Sequence, residues 1–143
     1  MCRVLVCGGR TFGAISHQTA DGGTMPVEIV RERMAERKFQ YDKLDELHRQ
    51  YGFTFVAEGG ANGADTTAFW WRKKSGVPGK TWKADWNKHG KSAGSIRNQL
   101  MLFESEAELV IAFPGGPGTK DMVNKAKLRG IPVIEVEYVA SNS

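Results

Sequence analysis

Short apolar runs alternate with longer stretches of helical periodicity along this chain. Five runs stand out: Arg3–Cys7, Phe53–Ala57, a shorter one around Lys80–Lys83, Leu109–Phe113 and Ile131–Val136. Each has strand length and is bounded by turn-forming or polar residues. Between the first two, Val30, Met34, Tyr41, Leu44, Leu47 and Tyr51 keep a three-and-four spacing, which predicts helix over 27–51. The charge-rich stretch Arg31–Lys38 suggests a solvated helix separate from Gln40–Tyr51, and Gly52 is a good C-cap for the latter. A second helical segment opens at Ala64 with Ala64, Ala68 and Trp71 on one face, and Gly76 and Pro78 stop it. A third enters at Ser92–Asn98, with Ile96, Leu100 and Phe103 predicted buried and Arg97 and Asn98 in the first turn. The last runs from Thr119 to Leu128 and stops at Gly130. Residues 11–26 read as a long loop, Ala84–Lys91 as a polar loop, and the tail from Ala140 is expected to fray.

Strands separated by helices predict a Rossmann-like α/β fold, three layers α/β/α around a mostly parallel sheet of about five strands. Three of the strands end in glycine pairs, Gly8-Gly9, Gly59-Gly60 and Gly115-Gly116. In such a sheet these ends lie along one edge. A strand, a glycine loop and a helix together offer backbone N–H groups and a helix dipole to an anion, usually a phosphate. Candidate contacts are therefore Gly8, Gly9, Gly59, Gly60, Asn62, Gly63, Pro114, Gly115, Gly116 and Gly118, with Thr119 as helix cap or hydroxyl donor. Arg10 is a possible bidentate phosphate donor. Asp65 either favours its helix dipole or accepts from a ligand hydroxyl, and Asp85 and Trp86 sit in the polar loop. A cation such as Arg97 at a helix start opposes the dipole, so an anion at the same spot explains it better, with Asn98 beside it. The full Gly-x-Gly-x-x-Gly fingerprint and its acidic partner are absent, which argues against a standard dinucleotide site.

Composition narrows this reading only a little. A chain of 143 residues fits one domain, and no run approaches the roughly 18 apolar residues of a membrane span. The N-terminus reads as a strand rather than a signal peptide, and Cys2 and Cys7 match neither a metal spacing nor a disulfide framework, so the expected location is cytosolic. A net charge of +4 is mild, and the basic residues are scattered. His17, His48 and His89 stand beside no candidate nucleophile and are expected to be solvated. The motifs call for no metal and no cofactor, and they accommodate Mg²⁺ arriving with a polyphosphate.

Taken together, Val4-Leu-Val-Cys-Gly-Gly-Arg10, Glu58-Gly-Gly-Ala-Asn-Gly-Ala-Asp65, Ala84-Asp-Trp86, Gly90–Asn98 and Ala112–Thr119 resemble the SLOG superfamily. That superfamily links the DNA-processing protein Smf/DprA with the LOG phosphoribohydrolases, and the segments look most like its small YspA-like branch. They follow the family order and cover most of the chain, while residues 13–37 look like an insertion. The resemblance implies glycine loops that bind nucleotides or nucleotide-derived ligands. In LOG enzymes an arginine and a glutamate carry hydrolysis of a nucleoside 5′-monophosphate. Arg97 matches the arginine. The glutamate position falls on Met122, which is neither acid nor base, and the nearest carboxylate, Asp121, points about 100° away round a helix.

Three functions follow from these features. The first is a nucleotide-derivative binder, a sensor or sequestering protein, using the loops, Arg10, Arg97 and Trp86 as a stacking surface. The second is an N-glycosidase in which Arg97 and a carboxylate (Asp65, Asp85 or Asp121) act on a nucleotide held by its phosphate. The third is single-stranded DNA binding through Trp70, Trp71, Trp82 and Trp86, against which the lack of a basic stripe argues. The expected partners are a nucleotide-derived small molecule and a second copy of the chain in a homo-oligomer, with no membrane.

Overall fold

The computed structural model describes residues 2–15 and 23–140. Five parallel strands, β1 (Cys2–Cys7), β2 (Phe53–Glu58), β3 (Gly79–Thr81), β4 (Leu109–Ala112) and β5 (Val133–Glu135), form one sheet in the order β3-β2-β1-β4-β5. The predicted Rossmann-like α/β fold is therefore present, and the sheet is wholly parallel. The helices are α1 (Val27–Tyr51), α2 (Ala64–Ser75), α3 (Trp86–His89), α4 (Ala93–Glu104) and α5 (Pro117–Leu128), with a 3₁₀ turn at Gly90–Ser92 before α4.

Alternation along β1 and β4 sorts the core into two layers. Val4, Val6, Leu109 and Ile111 face Leu44, Leu47, Ala64, Ala68 and Trp71 from α1 and α2. Leu5, Val110 and Ala112 face Met101 and Leu102 of α4 and Met122, Val123 and Ala126 of α5. Strands this apolar on both faces have to be covered on both faces. β1 and β4 are neighbours in the sheet although α1–α4 intervene in the chain. The strand order reverses at that pair, and the loops after the two strands part there.

Several expectations change. Arg31–Lys38 is not a separate helix: α1 continues unbroken to Tyr51, with Arg33–Glu36 and Lys38–Asp42 ion pairs lacing its solvated half. Gly52 does end it, in the left-handed conformation at φ 66. Ala84–Lys91 is not loop throughout, because the Asp85 carboxylate accepts from the Lys88 amide at 3.0 Å and nucleates α3. Ile96, Leu100 and Phe103 are exposed by 41%, 49% and 65%. The buried stripe of α4 is Ala93, Asn98, Met101 and Leu102, which includes a polar residue that a search for apolar letters passes over. His48 is not solvated either. Its Nδ1 accepts from the Phe53 amide at 3.0 Å and its ring packs edge-on against Trp71. His17, in the 16–22 segment, and the tail beyond Ala140 lie outside the described residues.

Candidate functional site

The turn after β1 and the turn after β4 face each other across the split. The Gly9 amide donates to the Pro114 carbonyl at 2.8 Å, and the Phe113 amide donates to the Cys7 carbonyl at 2.8 Å. From the α2 side, the Ala64 amide donates to the Gly9 carbonyl at 3.1 Å. There is no room for larger residues in this crossing: a Cβ on Gly8 would stand 2.5 Å from the Ala64 Cβ. Gly116 is the N-cap of α5, and no side chain caps that helix. Gly116, Gly118 and Thr119 line the gap, so the start of the helix borders it with first-turn amides that have no partner within the helix. Thr119 is thus not the cap. It is the third residue of the helix, with its hydroxyl against Gly115.

A cleft of about 560 Å³ opens at this point. It gathers Gly8, Gly9 and Arg10 from β1's turn, Asp65 from α2 and Trp86 from α3. Arg97 and Asn98 come from α4, and Gly116, Gly118, Thr119 and Asp121 from α5. Sequence reasoning missed Lys91 and Ser95, which line it too, and Lys125, which is bonded to its wall. The Asp121–Lys125 spacing of four residues on a helix was a readable signal for the last. Arg10, Lys91, Arg97 and Lys125 against Asp65 and Asp121 leave the cleft with excess positive charge.

The other predicted residues lie around this cleft or outside it. Gly59 packs on the Arg97 guanidinium, Gly60 on the Thr81 methyl, and Gly115 on Gly9 and Thr119, so they shape the walls. Pro114 offers its carbonyl to Gly9. Asp85 is spent on capping α3. Asn62 and Gly63 line a different hollow of 450 Å³, shared with Thr11, Arg33, Arg37 and Trp70.

Arg97 is the fifth residue of α4, not in its first turn, and its charge is met from within the protein. Nη1 donates to the Gly59 carbonyl and, at 3.2 Å, to that of Trp82, while Nε donates to Asn98 Oδ1 at 3.0 Å. Asn98 is buried, and its Nδ2 reaches Gly118 O at 3.1 Å and Asp121 Oδ2 at 3.0 Å. It therefore fixes the start of α5 relative to α4. Asp65 is 5% exposed, and its Oδ2 accepts from the Ala61 amide at 3.2 Å. Burial pushes its carboxyl up to about 6. The Ala61 amide and the nearby Arg97 charge oppose that rise without cancelling it, and Glu58 adds to it. Glu58 is wholly buried beneath. Burial raises its carboxyl, while Thr81 and Arg72 (Nε 3.5 Å from Oε2) hold it partway down.

Asp121 behaves oppositely. Partial burial raises its carboxyl, but hydrogen bonds from Lys125 (2.6 Å) and Asn98, with the Lys125 charge, outweigh that and hold it below the usual carboxylate range. Met122, where a LOG enzyme has its glutamate, is fully buried in the α4–α5 core. Cys7 at the cleft floor is buried, and that burial holds its thiol protonated. Among the described residues no cluster of three His, Cys, Asp or Glu is placed to hold a metal, and no helix is long and apolar enough to cross a membrane.

A doubly wound parallel sheet, with its cleft where the strand order reverses, defines a Rossmann-like α/β domain. The chain belongs to the YspA, cpYpsA-related SLOG family (YAcAr), whose profile matches residues 2–89. The gene 61 protein of Mycobacterium phage D29 is 41% identical over 108 residues, 69% of this chain and 85% of that protein. The X-ray structure of TM1055 shares the fold, with a TM-score of 0.62 over 93% of this chain and 72% of its own, at 18% identity. Membership and fold make this a SLOG domain and name no ligand.

Proposed function

We propose that this protein binds a nucleotide or nucleotide-derived small molecule in the β1–β4 cleft, as a sensor or a sequestering protein. One observation carries the reading: the Gly8-Gly9-Arg10 turn and the uncapped start of α5 face one another in a cleft of net positive charge. A phosphate seated there meets backbone N–H groups, a helix dipole and Arg10 together. Asp65 lies deeper, where its carboxylate can accept from ribose hydroxyls. Binding without turnover agrees with Met122 in the core and with Asp121 tied to Lys125 as a charged, unreactive pair.

The N-glycosidase reading keeps one specific support. Asp65, with its carboxyl raised to about 6 beside Arg97, is the group at this site suited to acid–base work near neutral pH. Incubation of the purified protein with nucleoside monophosphates, NAD, ADP-ribose and cyclic nucleotides separates the two readings. Thermal shift reports binding, and chromatography of the denatured extract reports what was bound. Stabilisation by a ligand recovered intact is the expected outcome. Free base plus ribose phosphate would replace the binder with the hydrolase, and no stabilisation by any member would remove both.

A further inference from the structure

Arg10 and Trp86 stand out in the cleft because, among the described residues, the guanidinium's one recorded partner is the Trp86 ring. The Arg10 guanidinium lies 5.2 Å from the centre of the Trp86 ring. Among the described residues neither side chain makes a hydrogen bond or an ion pair, while Arg97, Asn98 and Asp121 are all tied. Trp86 is 48% exposed, so it is not core. Its position is nonetheless built. Asp85 caps the short helix that starts with it, and its six-membered ring rests where α4 has Gly94, whose added Cβ would stand 3.5 Å from Trp86 Cη2. The indole is therefore braced at Gly94, lines the cleft, and carries over its ring the exposed guanidinium of Arg10.

Resting on the nucleotide reading above, we propose that Trp86 is the platform for the ligand's aromatic base and that Arg10 holds the base's place until it arrives. A heteroaromatic base stacks on an indole more strongly than an exposed guanidinium does, so it displaces the cation. Arg10 follows directly on the Gly8-Gly9 turn, and once displaced it turns to the phosphate seated there, where a bidentate charged pair awaits it. The exchange selects for a ligand that carries both parts. A sugar phosphate without a base leaves Arg10 on the indole, and a nucleoside without phosphate gives Arg10 nowhere to go. Because every base has a π-face, the platform discriminates poorly among bases and well against ligands lacking one.

The test is calorimetric titration of the full chain with adenosine 5′-monophosphate and with ribose 5-phosphate, in wild type, Trp86→Ala, Trp86→Phe and Arg10→Ala. Thermal melts confirm that each variant is folded. Trp86→Ala is expected to weaken the nucleotide about tenfold or more while leaving ribose 5-phosphate unchanged, and Trp86→Phe to restore most of the loss. Arg10→Ala is expected to weaken the nucleotide and to leave ribose 5-phosphate unchanged, because without a base Arg10 stays on the indole. Tryptophan fluorescence should be quenched by the nucleotide in wild type and not in Trp86→Phe. Wild-type affinity in Trp86→Ala, with the nucleotide still bound, would overturn the platform and leave the phosphate cleft standing. Failure of wild type to bind either ligand would overturn the cleft reading and the platform with it.

Discussion

Gly63→Ala is expected to destabilise the protein by about 3 kcal/mol or more, lowering Tm by roughly 10 °C at an unfolding entropy near 0.3 kcal/mol per degree for this length. Gly63 holds φ 81 and ψ −128 as the residue before α2, a conformation side chains resist. A methyl there would also stand 2.6 Å from the Arg10 carbonyl and closer still to that of Gly9. Neither obstacle can swing away, because both are backbone atoms of the turn that α2 docks against through the Ala64 amide. Relief requires α2 to separate from the β1 turn, which opens one wall of the cleft. Gly118→Ala is the matched control. Gly118 lies in the first turn of α5 with open space around it, so alanine leaves Tm unchanged and intrudes only on the cleft. Differential scanning calorimetry with ligand titration of both variants checks the contrast. Equal melts for Gly63→Ala and wild type would show that the turn yields easily.

Asp65→Asn is expected to stabilise the protein at neutral pH while weakening its ligand. The folded carboxyl titrates at about 6 against an ordinary 3.8. Between those values the folded state holds a proton that the unfolded state has released. The group therefore adds up to about 3 kcal/mol below pH 3.8, and that contribution is lost as pH rises through 6. At pH 7 the wild type carries the buried charge in full and asparagine does not. Asparagine can still offer the Ala61 amide a carbonyl oxygen but gives up the charge beside Arg97, so the net gain is about 1–2 kcal/mol, or roughly 3–6 °C in Tm. Because the wild type regains about 2 kcal/mol or more between pH 7 and pH 4 and asparagine does not titrate, the difference between the two melts should vanish near pH 5 and reverse below it. Asp121 contributes in the opposite sense, losing stability as pH falls, and it cancels in that comparison because both proteins carry it. A stability gain coupled to roughly tenfold weaker nucleotide binding would mark Asp65 as a residue kept for the site at the expense of the fold. A Tm that falls at pH 7 would mean that Arg97 needs the carboxylate more than burial opposes it.

Features governed by local periodicity were legible in the sequence. The strands of Val4–Cys7 and Leu109–Ala112 announce themselves as apolar runs before glycines, and Gly52, Gly76 and Gly130 stop their helices in the left-handed conformation. That the glycine turns after β1 and β4 meet was inferred only from the general rule for open sheets. The sheet order supplies the reason, because β1 and β4 are adjacent at the reversal. On α4 the apolar letters do not mark the buried face. Asn98 and Arg97 turn inward to bond Gly118, Gly59 and Trp82, and this puts Ile96, Leu100 and Phe103 outside. No window of sequence shows that a polar pair will claim the inner side of a helix, since their partners lie 15 to 38 residues away along the chain. In α1 the converse holds: charges that look like a boundary are i,i+3 and i,i+4 pairs within one continuous helix.

Amide nitrogen–proton spectra recorded during titration with adenosine 5′-monophosphate report directly whether the β1–β4 cleft takes a nucleotide by its phosphate. Saturable shifts are expected, concentrated at Gly9, Arg10, Gly116, Gly118 and Thr119, together with the Trp86 indole N–H. Shifts centred instead on Thr11, Asn62 and Trp70, around the other hollow, or no saturable shift at all, would contradict binding in the cleft.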